Sequence, residues 1–197
     1  MKKIRVLGCT GSIGSSTLDI IENEKEMFIC CGLTAHSKKD ELSALSKKFQ
    51  CPSLLTNNAD EKDYKNFISS CKPDIVVNGI AGSPGLLPSK VTLELGIDLA
   101  LANKETAVMA YPLVKALSEK TGAKIIPVDS EHSAIFSLIN QCGKENSDRI
   151  LITASGGPFR NFTKEQLENV TLEMALNHPT WKMGPKITID SSTLANK

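Results

Sequence analysis

Asp129, Ser130 and Glu131 follow the apolar run Ile125-Ile126-Pro127-Val128, and they are the residues of this chain best placed to do chemistry. On an extended segment, side chains two apart share a face. Asp129 and Glu131 are therefore expected to project the same way, with Ser130 on the other side. Two adjacent carboxylates repel and call for a cation, a proton or a basic partner. Oxygen ligands without a cysteine cluster favour a hard ion, Mg²⁺ or Mn²⁺, over zinc. Taken alone, Asp-x-Glu reads equally as a solvated acidic loop, so the flanking motifs have to decide.

Gly8, Gly11 and Gly14 are spaced G-x-x-G-x-x-G just after the first apolar run. Small residues there let the backbone approach a pyrophosphate, whose charge rests on helix N–H groups. A glycine turn for tight strand–helix packing is the plainer alternative. An NAD enzyme would carry an acid at the end of its second strand. Here the chain reads His36-Ser37-Lys38-Lys39, cations and a hydroxyl suited to a 2′-phosphate, which favours NADP over NAD. A plain basic turn would read the same way.

Lys104, in Leu101-Ala102-Asn103-Lys104-Glu105, lies just past a strand end and could hold a substrate oxygen or an anion; the same residues could be any helix cap. Ser155-Gly156-Gly157-Pro158-Phe159-Arg160 offers a hydroxyl and a glycine turn suited to an anion nest. Trp181 stands between Pro179 and Pro185 in a segment with no periodicity. It reads as a lid over a ligand, or as a core anchor. Asp190-Ser191-Ser192-Thr193 reads as a helix start whose hydroxyls, with Asn196 and Lys197 a turn later, suit a phosphate.

The elements that must carry these residues alternate. Strands are expected at 4–7, 28–34, 53–55, 74–78, 98–101 and 124–128. Helices are expected at 15–24, 39–49, 62–71, 85–95 and 106–121. This alternation predicts an α/β fold with a doubly wound parallel sheet. Beyond it the texture changes: a helix at 134–141, a strand at 149–153, a capped helix at 163–170 and a strand at 186–189. The helix opening at Asp190 stops at Lys197, so the chain is expected to be the N-terminal piece of a longer protein.

Bulk properties narrow the class. The chain has 197 residues, a net charge of +1, and 41% hydrophobic but only 5% aromatic residues, which fits an aliphatic α/β core. Near-neutral charge gives no reason to expect a nucleic-acid or anionic-membrane partner. Arg5 and Gly8 break the first apolar run well short of a signal peptide, and no stretch approaches the roughly 18 apolar residues of a membrane span. The six cysteines show no C-x-x-C pair and no disulfide rhythm, as expected of reduced thiols in a cytoplasmic protein. Cys30 and Cys31 should point to opposite faces of one strand, an arrangement that does not suit a metal.

Taken together, Thr-Gly-Ser-Ile-Gly, Leu-Ala-Asn-Lys-Glu, Pro-Val-Asp-Ser-Glu-His, Ser-Gly-Gly-Pro-Phe-Arg, His-Pro…Trp…Met-Gly and Asp-Ser…Asn-Lys occur in an order that resembles the 1-deoxy-D-xylulose 5-phosphate reductoisomerase family. The resemblance covers the whole chain. It implies an NADPH-binding Rossmann-like domain at 1–126 and a truncated α/β catalytic domain at 127–197. It also implies rearrangement of a ketose phosphate to a branched aldehyde that NADPH reduces, on the methylerythritol phosphate route to isoprenoids. Asp129 and Glu131 would bind Mg²⁺ or Mn²⁺. Lys104, Ser130 and Glu131 would contact the substrate carbons. Ser155, Ser191, Asn196 and Lys197 would hold its phosphate, with His178 and Trp181 on a closing loop. Thr10, Gly11, Ser12 and Ile13 would hold the cofactor phosphates, and His36, Ser37 and Lys38 would lie at the 2′-phosphate. Asn103, Glu105 and Gly184 would lie nearer the nicotinamide.

The family pattern continues past Asn-Lys into Gly-Leu-Glu, whose glutamate is the third metal ligand. A homodimer is implied for the full-length protein, with no nucleic-acid or membrane partner. Two alternatives are another Rossmann oxidoreductase of the semialdehyde or homoserine dehydrogenase type, and a nucleotide-binding fragment without activity. The first would need a catalytic cysteine or a different lysine pair after the sheet.

Overall fold

The apolar runs of the first two thirds of the chain become strands, and the amphipathic stretches between them become helices. The computed structural model describes residues 1–182 and 184–193. Strands β1 (Lys2–Leu7), β2 (Phe28–Ala35), β3 (Ser53–Leu55), β4 (Ile75–Asn78), β5 (Asp98–Leu101) and β6 (Ile125–Pro127) form one sheet in the order β3-β2-β1-β4-β5-β6. Every pairing is parallel. Helices α1 (Ser12–Asn23), α2 (Lys39–Phe49), α3 (Glu61–Ser69), α4 (Leu86–Glu94) and α5 (Lys104–Thr121) are the crossovers, and α6 (Ser130–Cys142) follows β6. This is the doubly wound order predicted from the alternation. Strand order reverses between β1 and β4, and that reversal opens a crevice at their carboxyl ends.

A parallel sheet covered by helices buries both faces of its strands. Val6, Leu7, Leu33, Val76 and Leu99 are accordingly fully buried, and each contributes about 1.5–3 kcal/mol of transfer free energy. Caps set the helix limits. Asp60 and Asp63 form a reciprocal capping box at the start of α3, and the Asn103 side chain accepts from Thr106 N at the start of α5. Pro112 lies inside α5, and the helix kinks at Ala110, where φ is −143°. No helix among the described residues is long and apolar enough to cross a membrane.

The chain forms two compact units, Met1–Phe136 and Ser137–Lys197. The division expected after residue 126 falls inside the first unit, which therefore carries Asp129 and Glu131. Among its described residues the second unit holds three short α-helices, α7 (Lys164–Leu167), α8 (Leu172–Ala175) and α9 (Pro185–Asp190). Thr163 and Gln166 form a capping box on α7, and Thr171 caps α8.

Three expectations are corrected here. Residues 149–153 form no strand. Leu151 is 79% exposed, and no strand among the described residues pairs with the segment. Residues 186–189 are helical, because Pro185 is preset for a first helical turn and Lys186 reaches Asp190 at 2.6 Å across one turn. Asp190 and Ser191 consequently end a helix instead of opening one, and Ser191 is its C-cap.

Candidate functional site

The glycine loop sits at the mouth of the crevice. Gly8 takes φ +75° after β1 and Gly11 is the N-cap of α1. A Cβ on Gly14 would lie 2.5 Å from Cys9 Cα, so the close helix–strand packing needs glycine there. The N-terminus of α1 has no side-chain cap, leaving its first N–H groups for a ligand. A cleft of about 590 Å³ opens beside it, lined by Gly8, Thr10, Gly11, His36 and the segment Gly79–Ala81.

Ser12 stands at the start of α1, and Ile13 packs its side chain into the core. A phosphate would therefore meet Ile13 through its backbone N–H. His36, Ser37 and Lys38 are exposed just past β2, and Lys38 pairs with Glu41 at 2.9 Å. Asn103 is buried and heavily committed. Its Nδ2 donates to Ile80 O at 2.7 Å and to Gly82 O at 2.8 Å, and its Oδ1 accepts from Thr106 N at 2.9 Å. Its side chain thus ties α5 to the cleft wall. Glu105 Oε2 accepts from Asn103 at 3.1 Å.

The acidic pair lies at the carboxyl end of β6. The expected extended geometry is corrected: Ser130 begins α6, and Asp129 O accepts the helical bond from Ser133 N at 2.8 Å. The two carboxylates still meet, now across a helix start whose dipole favours negative charge. Ser130 is not turned away, since its hydroxyl donates to Glu131 Oε2 at 2.8 Å. Burial, then a hydrogen bond with Glu131 and repulsion from it, raise the Asp129 carboxyl above its ordinary range, while His132 and Lys104 pull it back. Asp129 Oδ1 is buried with no hydrogen-bond partner among the described residues. An orphaned carboxylate oxygen beside a second carboxylate fits a hard divalent cation. Among the described residues no group of three His, Cys, Asp or Glu side chains completes such a site. Lys104, Asp129 and His132 line one small cleft of about 120 Å³.

In the second unit, Ser155 Oγ lies 3.1 Å from His178 Nε2. His178 Nδ1 accepts from Thr180 N at 3.1 Å and Trp181 N at 2.9 Å. A nitrogen that accepts twice carries no proton, so the neutral ring bears its proton on Nε2 and donates it to Ser155. The Ser155 hydroxyl proton is then free for another acceptor. Gly156 and Gly157 take φ +78° and +66°, and a Cβ on Gly157 would lie 2.7 Å from Ser192 Cα, so this turn abuts the end of α9. Ser191 is buried and donates to Thr188 O at 2.5 Å, at the carbonyl end of α9. The helix-N-terminus argument for a phosphate at Ser191 is therefore withdrawn. Trp181 is 60% exposed among the described residues. Gly184 is the exposed N-cap of α9. Asn196 and Lys197 lie outside the described residues.

Comparison with known proteins decides the family. A family model described as 1-deoxy-D-xylulose 5-phosphate reductoisomerase matches residues 4–67 and 55–111, and the model of its C-terminal domain matches 125–197. The chain belongs to the 1-deoxy-D-xylulose 5-phosphate reductoisomerase family. Reductoisomerases of Treponema denticola and Treponema pallidum are 48% and 45% identical to it; the alignments cover 100% of this chain and 54% of each relative. The chain thus spans about half the length of these curated relatives. A crystal structure of DOX-P reductoisomerase in complex with NADPH, fosmidomycin and magnesium superposes with a TM-score of 0.84 at 32% identity, covering 100% of this chain and 55% of that one. A reductoisomerase from Zymomonas mobilis in complex with NADPH gives 0.81 at 32% identity, over 97% and 54%. This membership sets aside the semialdehyde and homoserine dehydrogenase alternative.

Sequence reasoning assigned no role to two residues beside these candidate groups. His132 shares the Lys104–Asp129 cleft, and its signal was its place in the Asp-Ser-Glu-His motif. Asn78 is buried at the end of β4. Its Nδ2 donates to Gly85 O at 2.8 Å and Ser89 Oγ at 2.7 Å, and its Oδ1 accepts from Ile80 N at 3.1 Å. It fixes the Gly79–Ala81 wall of the 590 Å³ cleft. A polar residue closing an apolar strand was the available hint.

Proposed function

We propose that this chain supplies the cofactor-binding unit and part of the catalytic unit of an enzyme that converts 1-deoxy-D-xylulose 5-phosphate to 2-C-methyl-D-erythritol 4-phosphate with NADPH and Mg²⁺ or Mn²⁺. The single observation that carries this reading is the Asp129–Glu131 carboxylate pair at the carboxyl edge of a dinucleotide-type sheet, with Asp129 Oδ1 buried and without a hydrogen-bond partner among the described residues.

The roles divide as follows. The α1 N-terminus, with Thr10, Gly11, Ser12 and Ile13, takes the cofactor phosphates, while His36, Ser37 and Lys38 face the 2′-phosphate. Asn103 holds the cleft wall and presents Lys104 and Glu105, and Gly184 is a further cofactor contact. Asp129 and Glu131 hold the divalent ion. That ion supplies Lewis-acid stabilisation of negative charge on substrate oxygens. Ser130 orients Glu131, and Lys104 adds a positive charge beside Asp129. Ser155, primed by His178 as a hydroxyl donor, and Ser191, once turned from Thr188, bind the substrate phosphate together with Asn196 and Lys197. Trp181 is the apolar cover that excludes water. A homodimer in the cytoplasm completes the reading, supported by the family's resemblance and by six cysteines without a disulfide pattern.

The test is an NADPH absorbance assay on the complete gene product with the ketose phosphate, with and without a chelator. We expect oxidation that requires both the sugar phosphate and the divalent ion. Turnover that persists after chelation would sink the reading. The isolated 197-residue chain should bind cofactor weakly and turn over negligibly. Light scattering on the full-length protein tests the dimer.

A further inference from the structure

Arg5 sits in the middle of β1 and is completely buried. Its Nη2 donates to Cys31 O at 2.9 Å, Ser70 Oγ at 3.3 Å and Cys71 Sγ at 2.8 Å. The ring of Phe67 lies 4.0 Å from its Cζ. Nε and Nη1 are buried with no acceptor among the described residues. A buried guanidinium is costly unless strong acceptors face it. Of the three acceptors present, a carbonyl, a hydroxyl and a sulfur, only the sulfur can itself become an anion.

The chain is shaped around this arrangement. Ile4 pairs with Cys30 and Arg5 with Gly32, so Cys31 is the extra residue of a β-bulge. A bulge re-aims a side chain. A Cβ on Gly32 would lie 2.8 Å from Arg5 Nε, so a glycine opposite Arg5 makes the slot for the guanidinium. Cys31 and Cys71 are both partly exposed. Burial and a hydrogen bond to Cys71 push the Cys31 thiol up to about 12. Cys31 therefore keeps its proton, and the Cys71 sulfur faces two donors. The other close pair, Cys30 and Cys51, has its sulfurs 3.6 Å apart but is shut inside the core, at 5% and 8% exposure.

We propose that Cys71 and Cys31 are a peroxide-reactive dithiol, with Cys71 the attacking sulfur, Arg5 its cationic partner and Cys31 the resolving thiol. The Cys71 sulfur attacks one oxygen of a hydroperoxide. The O–O bond breaks, the other oxygen leaves with the thiol proton as an alcohol (water, for hydrogen peroxide), and Cys71 becomes a sulfenic acid, oxidised by two electrons. Arg5 Nη2, 2.8 Å from the Cys71 sulfur, is the positive charge that offsets the negative charge developing during the attack. The Cys31 sulfur then attacks Cys71, the S–O bond breaks, and the departing hydroxide takes the Cys31 proton to leave as water. Two thiols and one hydroperoxide thus yield a disulfide, an alcohol and water, tying β2 to the end of α3.

The test treats the reduced full chain with stoichiometric hydrogen peroxide, blocks free thiols, and maps the peptides by mass spectrometry. A Cys31–Cys71 cross-link is expected as the main product, with Cys71 consumed at least about tenfold faster than exposed Cys142. In Cys31→Ser, Cys71 should accumulate as a sulfenic acid that a 1,3-diketone traps. In Cys71→Ser, Cys31 should react no faster than Cys142. The proposal is overturned if Cys71 reacts no faster than Cys142, or if the main product joins Cys30 to Cys51.

Discussion

Ser155 Oγ and His178 Nε2 lie 3.1 Å apart although 23 positions separate them in sequence. The same imidazole accepts the N–H groups of Thr180 and Trp181 on its other nitrogen. One buried ring therefore orients a hydroxyl donor and folds the loop that carries the tryptophan. We expect His178→Ala, in the full-length enzyme, to lower kcat/KM for the sugar phosphate by about 10- to 100-fold, the worth of one to two positioned hydrogen bonds. His178→Gln, which can restore only the bond to Ser155, should recover part of the substrate KM. Steady-state kinetics on both variants checks this, and wild-type constants for both would contradict it.

Asp129→Asn keeps the size of the side chain and removes its charge. It should raise the Mn²⁺ concentration for half-maximal activity at least about tenfold, because a hard cation loses one of its anionic ligands. Cofactor affinity should hardly change, since the glycine loop is untouched. A metal titration run beside an NADPH binding measurement separates the two effects. An unchanged metal requirement would falsify the assignment of Asp129.

Gly14→Ala places a methyl group 2.5 Å from Cys9 Cα, far inside van der Waals contact. Helix α1 must then shift off β1. We expect a loss of about 1–3 kcal/mol in stability, read by urea denaturation. NADPH binding should also weaken, because the same helix end meets the phosphates. Gly184→Ala is the control, since nothing lies within 4 Å of the added carbon, and it should leave stability within about 0.5 kcal/mol.

Cys9 links stability to alkaline pH. Burial first, then Cys30 and Glu41, push its thiol from 9.0 to about 11. The folded value lies above the unfolded one, so its contribution is full below 9.0 and is lost as pH rises through about 11. The loss attributable to Cys9 is at most roughly 2–3 kcal/mol. Denaturation midpoints measured from about pH 8 to about pH 11 should fall more steeply in the wild type than in Cys9→Ala. Equal slopes would show that the thiol stays protonated in neither or both states.

Much of the first unit was legible in the chain. The helix at Lys39–Phe49 and the strands at Ser53–Leu55 and Asp98–Leu101 lie where their periodicity and turn residues put them. Gly8, Gly11 and Gly14 announced a loop whose backbone must approach something closely. Element limits shifted where caps outweighed pattern, as at α5, which begins at Lys104 because Asn103 caps it. The two carboxylates of the acidic motif do lie together, but across a helix start and not on the extended segment expected, since Ser130 begins α6. The last third was read least well. Its expected strands at 149–153 and 186–189 are absent, because a strand exists only where another backbone pairs with it.

Alternating apolar and amphipathic stretches, with glycines at fixed spacing, by themselves determined a parallel doubly wound sheet with a glycine loop after its first strand. These signals are local, because each strand and helix gains most of its preference from residues within a turn or two. Tertiary structure alone decided that Arg5 lies inside the sheet beside Cys31 and Cys71, that His178 addresses Ser155, and that Asp129 keeps one oxygen buried with no hydrogen-bond partner among the described residues. Those relationships join positions far apart in sequence. Burial and desolvation, which arise only once the chain has closed on itself, give them their chemistry.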